Sequence, residues 1–385
     1  MKKVIIIGAG LSGLSCAHYL DKTKYDIKVF ESSSSPGGRA KSENIDGYIC
    51  DVGFQVLLNN YDEVKNLGVY NKLDLCYFDS GSLIYNDGKI RKLYNPIRHP
   101  FKFLSSDLPK IVTIKDIKSV FKILFRNSSK SPKTSTLFNR MFSKQARYYF
   151  FEPFFRGIFL NHELTNDSSF FHKIFKKFAY GRASLPKDGM SKLSESIIDN
   201  SNLDVSYNKK IVKVSNNKLF CESGEKERFD ILIFAIPVRN INKILNTNYK
   251  TEYFINKTIY ISSTLKKFDK SILLIPSKEI SLNSIQCISN VSNSYSKDGI
   301  SLYSASTLDA NKSDNELLKE FNMVTKISKK DSKIIKSYTL PYSLPSTFSS
   351  IPSKNNHYFC GDWNVEPSID GAIKSGRLLA EQINE

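Results

Sequence analysis

Gly8-Ala9-Gly10-Leu11-Ser12-Gly13 sets three glycines at the spacing of a phosphate-binding turn. Gly8 permits the tight turn, and Gly10 lets backbone approach a pyrophosphate with no Cβ in the way. Gly13 lets a helix pack closely on a strand. Leu11 and Ser12 then open a segment whose free N–H groups can face the phosphates. Glu31 follows at the end of the next apolar stretch. A carboxylate there can accept hydrogen bonds from both adenosine ribose hydroxyls, and it repels a 2′-phosphate. Pro36-Gly37-Gly38-Arg39 adds a backbone nest and a guanidinium fork suited to a diphosphate. The chemistry these residues share is the binding of a dinucleotide.

Certain elements must hold them. Val4 to Ile7 is short, β-branched and unbroken, as a fully buried parallel strand is. Leu14 to Leu20 continues with helical spacing, and Tyr25 to Phe30 reads as a second strand. A lone glycine pattern is weak, and a ligand-free strand–helix turn is the bland alternative. Here strand, turn, helix, strand and acid stand in the order the chemistry needs. Asp51-Val52-Gly53-Phe54-Gln55-Val56-Leu57 follows, apolar with one glycine and one amide.

Taken together, the glycine turn, Glu31, Gly37-Gly38-Arg39 and Asp51-Val52-Gly53 resemble the opening of the flavin amine oxidase and phytoene desaturase superfamily. The C-terminus resembles the end of that family independently. Tyr358-Phe359-Cys360-Gly361-Asp362 is a short strand ending in Gly-Asp, and Ser368-Ile369-Asp370-Gly371-Ala372 opens a last helix. The resemblance implies FAD as cofactor. It places Gly361 and Asp362 near the ribityl chain or pyrophosphate. It brings backbone N–H groups of Ser368, Ile369, Gly371 and Ala372 towards the flavin pyrimidine. Gly53 and Phe54 would flank the ring, with Gln55 as the candidate catalytic side chain over it. A backbone amide at Ile211 would touch the adenine. Pro153 to Leu160, and Leu185-Pro186 with Gly189-Met190, resemble amine-oxidase-like and protoporphyrinogen-oxidase-like proteins. Amine oxidases usually present a lysine near N5 and an aromatic pair beside the flavin. Neither can be placed here, although Trp363 is a candidate for one wall.

The expected fold is α/β: a glutathione-reductase-like, FAD-binding Rossmann domain plus an α+β substrate domain. The first is discontinuous, over 1–75, 190–245 and 345–385. The second spans 76–189 and 246–344. With 41% apolar and 24% charged residues, the composition excludes disorder, collagen-like repeats and a coiled coil. The six cysteines lie far apart and have no zinc spacing, so no metal site is expected and a reducing compartment suits them. Val4 to Ile7 is too short for an export signal, and no apolar run is long enough to span a membrane.

Net charge is +18, and Lys89 to Lys133 holds twelve Lys/Arg against two acids. That localised excess points to an anionic partner. Within 114–126, Ile114, Ile117, Phe121 and Leu124 fall on one helical face, away from Lys115, Lys118 and Lys122. Such a helix can lie on an anionic membrane surface. The expected location is cytoplasmic, with peripheral contact to the inner face of a membrane as the further expectation. From Tyr148 to Tyr180, twelve of 33 residues are Phe or Tyr. They either line a long apolar cavity or form a helical core. Interleaved basic residues raise nucleic-acid stacking, but a flavin domain occupies the rest of the chain, so no nucleic acid is expected. None of the five histidines sits in a catalytic triad pattern. Hydride transfer needs positioning more than an acid–base pair. The reading is an FAD-dependent oxidoreductase, of desaturase, saturase or isomerase type, on an apolar isoprenoid- or polyene-like small molecule. Amine or porphyrinogen oxidation is the alternative, and a non-catalytic FAD-binding lipid carrier or assembly factor is another. The electron acceptor stays open.

Overall fold

The computed structural model describes the whole chain except residues 96, 97, 100, 103–110, 126–131, 348 and 350. Lys110, Arg126 and Lys130 of the basic stretch therefore lie outside the described residues.

The apolar run Val4 to Ile7 becomes the centre of a five-stranded parallel sheet. Its order is Val205–Ser206, Tyr25–Phe30, Lys2–Ile7, Ile231–Phe234, His357–Phe359. Alternation in the central strand decides what each face meets. Val4 and Ile6 join one core cluster with Leu14, Ala17 and Ile373. Ile5 and Ile7 join another with Ile211, Leu219 and Trp363. Parallel strands buried on both faces need no polar alternation, which is why they read as unbroken apolar runs. Helix Ile369–Asn384 crosses helix Leu11–Tyr19 at very close range. A Cβ on Gly376 would lie 2.1 Å from Ser12 O.

A second, seven-stranded sheet runs Lys333–Pro345, Tyr253–Ser263, Ser301–Thr307, Leu282–Cys287, Ile272–Leu274, Gly81–Asn86, Lys89–Tyr94. It is antiparallel except between Ile272–Leu274 and Gly81–Asn86. One face is apolar: Ile259, Ile261, Ile285, Tyr303 and Ala305 pack with Leu317 and Phe321 of helix Asp314–Thr325. The alternate positions Asn256, Thr258, Ser284, Ser304 and Ser306 are polar and buried. That second face turns towards the parallel sheet and its helices, where Tyr260 joins the large core cluster.

A helical layer completes the second half. Phe138, Phe151, Phe155, Phe159 and Phe171 form its core. Phe138 and Phe171 meet edge to face at 4.9 Å, the geometry aromatic quadrupoles prefer. Helix Ile114–Phe125 departs from the expected wheel. It buries Asp116, Ser119, Ile123 and Leu124 and exposes Ile114 and Phe121. The cause is Asp116, whose carboxylate accepts hydrogen bonds from Ser143 N (2.6 Å) and Thr113 N (2.7 Å). That anchor turns the Asp116 side of the helix inward.

Candidate active site

A cavity of about 490 Å³ lies where the C-terminal ends of the parallel strands face the polar side of the seven-stranded sheet. Gly8, Gly10, Leu11, Ser12, Glu31, Gly38 and Arg39 line one end of it. Gly8 has φ +107°, and a Cβ there would lie 2.7 Å from Ala235 O. Gly10 differs, because a Cβ on it would meet nothing within 4 Å and would project into open space. Gly13 lies behind the wall, where a Cβ would come 2.1 Å from Gly8 O. The helix starting at Leu11 has no side-chain cap, so its first N–H groups remain for a ligand. The second glycine turn closes on the first: Gly37 N donates to Ala9 O at 2.8 Å. Glu31 braces the turn as well as facing the cavity. Its Oε2 accepts from Ala9 N at 2.8 Å and its Oε1 from Ser33 N at 2.9 Å.

Arg39 corrects one expectation. Its guanidinium fork is not left open for a diphosphate: Nη2 donates to Asp362 Oδ1 at 2.6 Å and Nη1 to Ser343 O at 2.8 Å. Burial works against the guanidinium charge, but Asp362 beside it holds its pKa above the ordinary value. Asp362 is itself buried and lines the cavity with Gly361 and Trp363. A buried carboxylate needs a counter-charge, and Arg39 supplies it.

The last helix gives two more corrections. Ser368, Ile369 and Ala372 line the cavity, but Gly371 does not. Gly371 N donates to Ser368 Oγ at 2.9 Å, and Ala372 N to Ser368 O at 2.9 Å. The N-cap takes the Gly371 N–H and ordinary helix geometry takes that of Ala372, so neither can point to a ligand. Ser368 N is also engaged, with Glu366 O. Ile211 is not among the residues that line this cavity. It is paired with Cys221 in a three-stranded antiparallel sheet and buried in the core beneath the parallel sheet. The backbone that reaches the glutamate loop is Lys209, whose N–H donates to Glu31 O at 2.8 Å.

Gly53, Phe54 and Gln55 do line the cavity. Gly53 has φ +79°, a turn that favours glycine. The Gln55 amide nitrogen donates to Arg39 O and, at 3.2 Å, to Val52 O. This side chain therefore ties two loops together beneath the cavity. Nearby Asp51 received no role from the sequence. It is buried, and it accepts from Ser42 Oγ (2.6 Å), Tyr295 Oη (2.9 Å) and Met190 N (3.0 Å). Burial pushes its carboxyl up to about 6 against the pull of those donors.

The opposite wall divides in two. Phe154, Ile158, Phe170, Ile174 and Phe178 give it an apolar helical side, and Asn256, Asn283, Ser284 and Ser306 give it a polar sheet side. The helical side comes from the aromatic run, which also supplies the core behind it. The sheet side was missed, although alternating Asn256, Thr258 and Ser262 could have signalled it. Among the described lining residues the charged ones are Glu31, Arg39 and Asp362, and none is Lys or His.

The family model of flavin containing amine oxidoreductases matches residues 11–260. The chain belongs to that family. The family is one of flavin-containing oxidoreductases, and this chain is a flavoprotein. The residues fit the cofactor: Gly10 opens on empty space, the helix start is uncapped, and the Glu31 carboxylate lines the same end of the cavity. Protoporphyrinogen oxidase of Dictyostelium discoideum is 25% identical over 399 residues, 90% of this chain and 70% of that protein. A 1-hydroxycarotenoid 3,4-desaturase of Flavobacterium sp. is 26% identical over 277 residues, 60% of this chain and 55% of that one. Mitochondrial protoporphyrinogen oxidase of Nicotiana tabacum is 30% identical over 162 residues, 40% of this chain and 32% of that enzyme. The flavoprotein thus matches about a third of the tobacco enzyme's length. Its fold is shared with an oxidoreductase from Methanosarcina mazei (TM-score 0.76, 14% identity, 98% and 100% of the two chains). Putrescine oxidase with bound putrescine also shares it (TM-score 0.72, 14% identity, 99% and 98%).

Proposed function

We propose that this flavoprotein desaturates, saturates or isomerises an apolar, isoprenoid- or polyene-like substrate. In this reading a glutathione-reductase-like domain holds FAD and the α+β half covers the substrate. Bound FAD supplies the hydride-exchanging centre. The chain's own residues orient the substrate and exclude water. The observation that carries the reading is that, apart from Glu31 at the glycine-turn end, the charges on the described cavity wall are paired with each other, Arg39 with Asp362. An ammonium would need a carboxylate or an aromatic cage, and a porphyrinogen's carboxylates would need cations. Arg39, the one cation lining the cavity among the described residues, is bound to Asp362. Against this stand Phe154, Phe170 and Phe178, which suit an extended apolar body by excluded water and shape. Anaerobic stopped-flow absorbance tests the reading. Long polyenes or isoprenoid quinols should perturb or reduce the flavin, while primary amines and polyamines should not. Rapid bleaching by a polyamine, with no response to any polyene, would overturn it.

We also infer that the flavoprotein docks on an anionic lipid surface. No helix among the described residues is long and apolar enough to cross a membrane. Helix Ile114–Phe125 instead exposes Ile114 (74%), Phe121 (50%) and Phe125 (78%), with Lys115, Lys118 and Lys122 alongside. Apolar side chains that can enter a bilayer boundary, beside cations that meet its headgroups, match such a surface in both respects.

A further inference from the structure

Asn256 stands on the polar sheet side of the cavity, opposite the apolar helical side. It stands on the strand Tyr253–Ser263, is 6% exposed and lines the cavity. Its Oδ1 is buried and has no hydrogen-bond partner. Such a group costs free energy unless something donates to it. The strand is irregular here, for its register with Lys333–Pro345 shifts between Phe254 and Asn256. A bulge of this kind re-aims a side chain.

The neighbours extend the polar patch. Thr258 stands opposite Ser306, and Ser306 opposite Ser284, so these side chains share the face that carries Asn256. Ser306 and Ser284 both line the cavity. Asn256 also lies beside the Gly53 loop, since a Cβ on Gly53 would come 3.9 Å from its Nδ2. The helical side approaches the patch closely. A Cβ on Gly157 would lie 2.6 Å from Asn283 Nδ2.

We propose that Asn256 is a specificity-determining residue for a substrate with a neutral oxygen function. A hydroxyl suits it best, with the apolar body along Phe154, Phe170 and Phe178. This rests on the apolar-substrate reading above and sharpens it. An amide offers one acceptor and two donors but no charge. A hydroxyl can donate to Oδ1 and accept from Nδ2, and it does so whichever way the amide is turned. A carboxylate or an ammonium at the same point would be buried with no free counter-charge, since Arg39 and Asp362 are paired with each other and Glu31 is engaged at the glycine turn. A pure hydrocarbon would leave Asn256 unsatisfied, and a site built to hydrogen-bond a substrate oxygen discriminates against the analogue lacking it.

Equilibrium titration of the holoprotein tests this, read by the difference spectrum of the bound flavin with no turnover required. The probes are an isoprenoid alcohol, the hydrocarbon of the same skeleton and the corresponding primary amine. Wild-type protein should bind the alcohol roughly tenfold more tightly than the hydrocarbon, the worth of one buried hydrogen bond. Asn256→Leu should abolish that preference without loss of flavin. Asn256→Ser should keep part of it, and serves in its place if the leucine variant does not fold. Equal binding of alcohol and hydrocarbon by wild type, or an unchanged preference in both variants, would overturn the inference and leave the apolar reading standing. Binding of the amine alone would overturn both.

Discussion

Arg39 and Asp362 form an ion pair at 2.6 Å across 323 residues of sequence. It joins the second glycine turn to the loop after His357–Phe359, and both flank the cavity. Asp362 is buried while the Arg39 side chain is 37% exposed, so the pair stands between surface and core behaviour. Arg39→Met leaves a buried carboxylate uncompensated, at an expected cost of about 2 kcal/mol. Thermal unfolding and flavin content after gel filtration should both fall. Arg39→Lys should recover only part, since an ammonium cannot also bridge to Ser343 O in the same fork. Wild-type values for Arg39→Met would show the pair to be idle.

The first and third glycines of the turn hold the backbone, and the second is open to the ligand. Gly10→Val should therefore fold with near-normal far-UV circular dichroism and lack FAD, because its side chain projects into open cavity space. Gly13→Ala should instead lower the melting temperature, for its Cβ would meet Gly8 O. Full flavin occupancy in Gly10→Val would place the nucleotide elsewhere.

The legible part of the site is the part that local chain geometry fixes. Gly8, Gly10, Gly13 and Glu31 sit within one strand–helix–strand unit, so spacing alone reports their arrangement. Roles that depend on a distant partner were not legible. The fork of Arg39 looked free because Asp362 arrives from the far end of the chain. Gly371 and Ala372 looked like donors because the Ser368 cap and the first helical bonds cannot be separated from a ligand site by spacing. The aromatic run divides by helical face: Phe155 and Phe171 are core, while Phe154 and Phe170 face the cavity. Helical period predicts two faces but not which one meets a sheet formed from residues 81–94, 253–287, 301–307 and 333–345.

Asp51 makes stability depend on pH. Its carboxyl is raised to about 6 in the fold, chiefly by burial. The folded state thus holds this proton more tightly than the unfolded state. The stabilisation is full below the unfolded value near 4 and is lost as pH rises through about 6. Asp51→Asn removes the titration. Its carbonyl can still accept from Met190 N, and the hydroxyls of Ser42 and Tyr295 can turn. The melting temperature of the variant relative to wild type should climb between pH 4.5 and 7. A difference that stays flat over that window would rule out Asp51 as the titrating group.

The proposed membrane docking has two separable parts, because the exposed helix face carries two kinds of group. Lys115, Lys118 and Lys122 act through charge, each contributing roughly 1 kcal/mol near an anionic surface. Their effect is screened over about 8 Å at physiological ionic strength. Phe121 and Phe125, whose rings stack at 6.4 Å, act through burial of apolar area and are insensitive to salt. Co-sedimentation with vesicles should therefore be strong on anionic lipid at low salt, weaker as salt rises, and weak on neutral lipid. Replacing the three lysines by glutamine should remove the salt-dependent part. Phe121→Ala with Phe125→Ala should lower the part that survives high salt. Equal binding to neutral and anionic vesicles would eliminate the charge argument. Unaltered binding by the phenylalanine pair would eliminate insertion, since rings this exposed cannot enter a bilayer without contributing to the affinity.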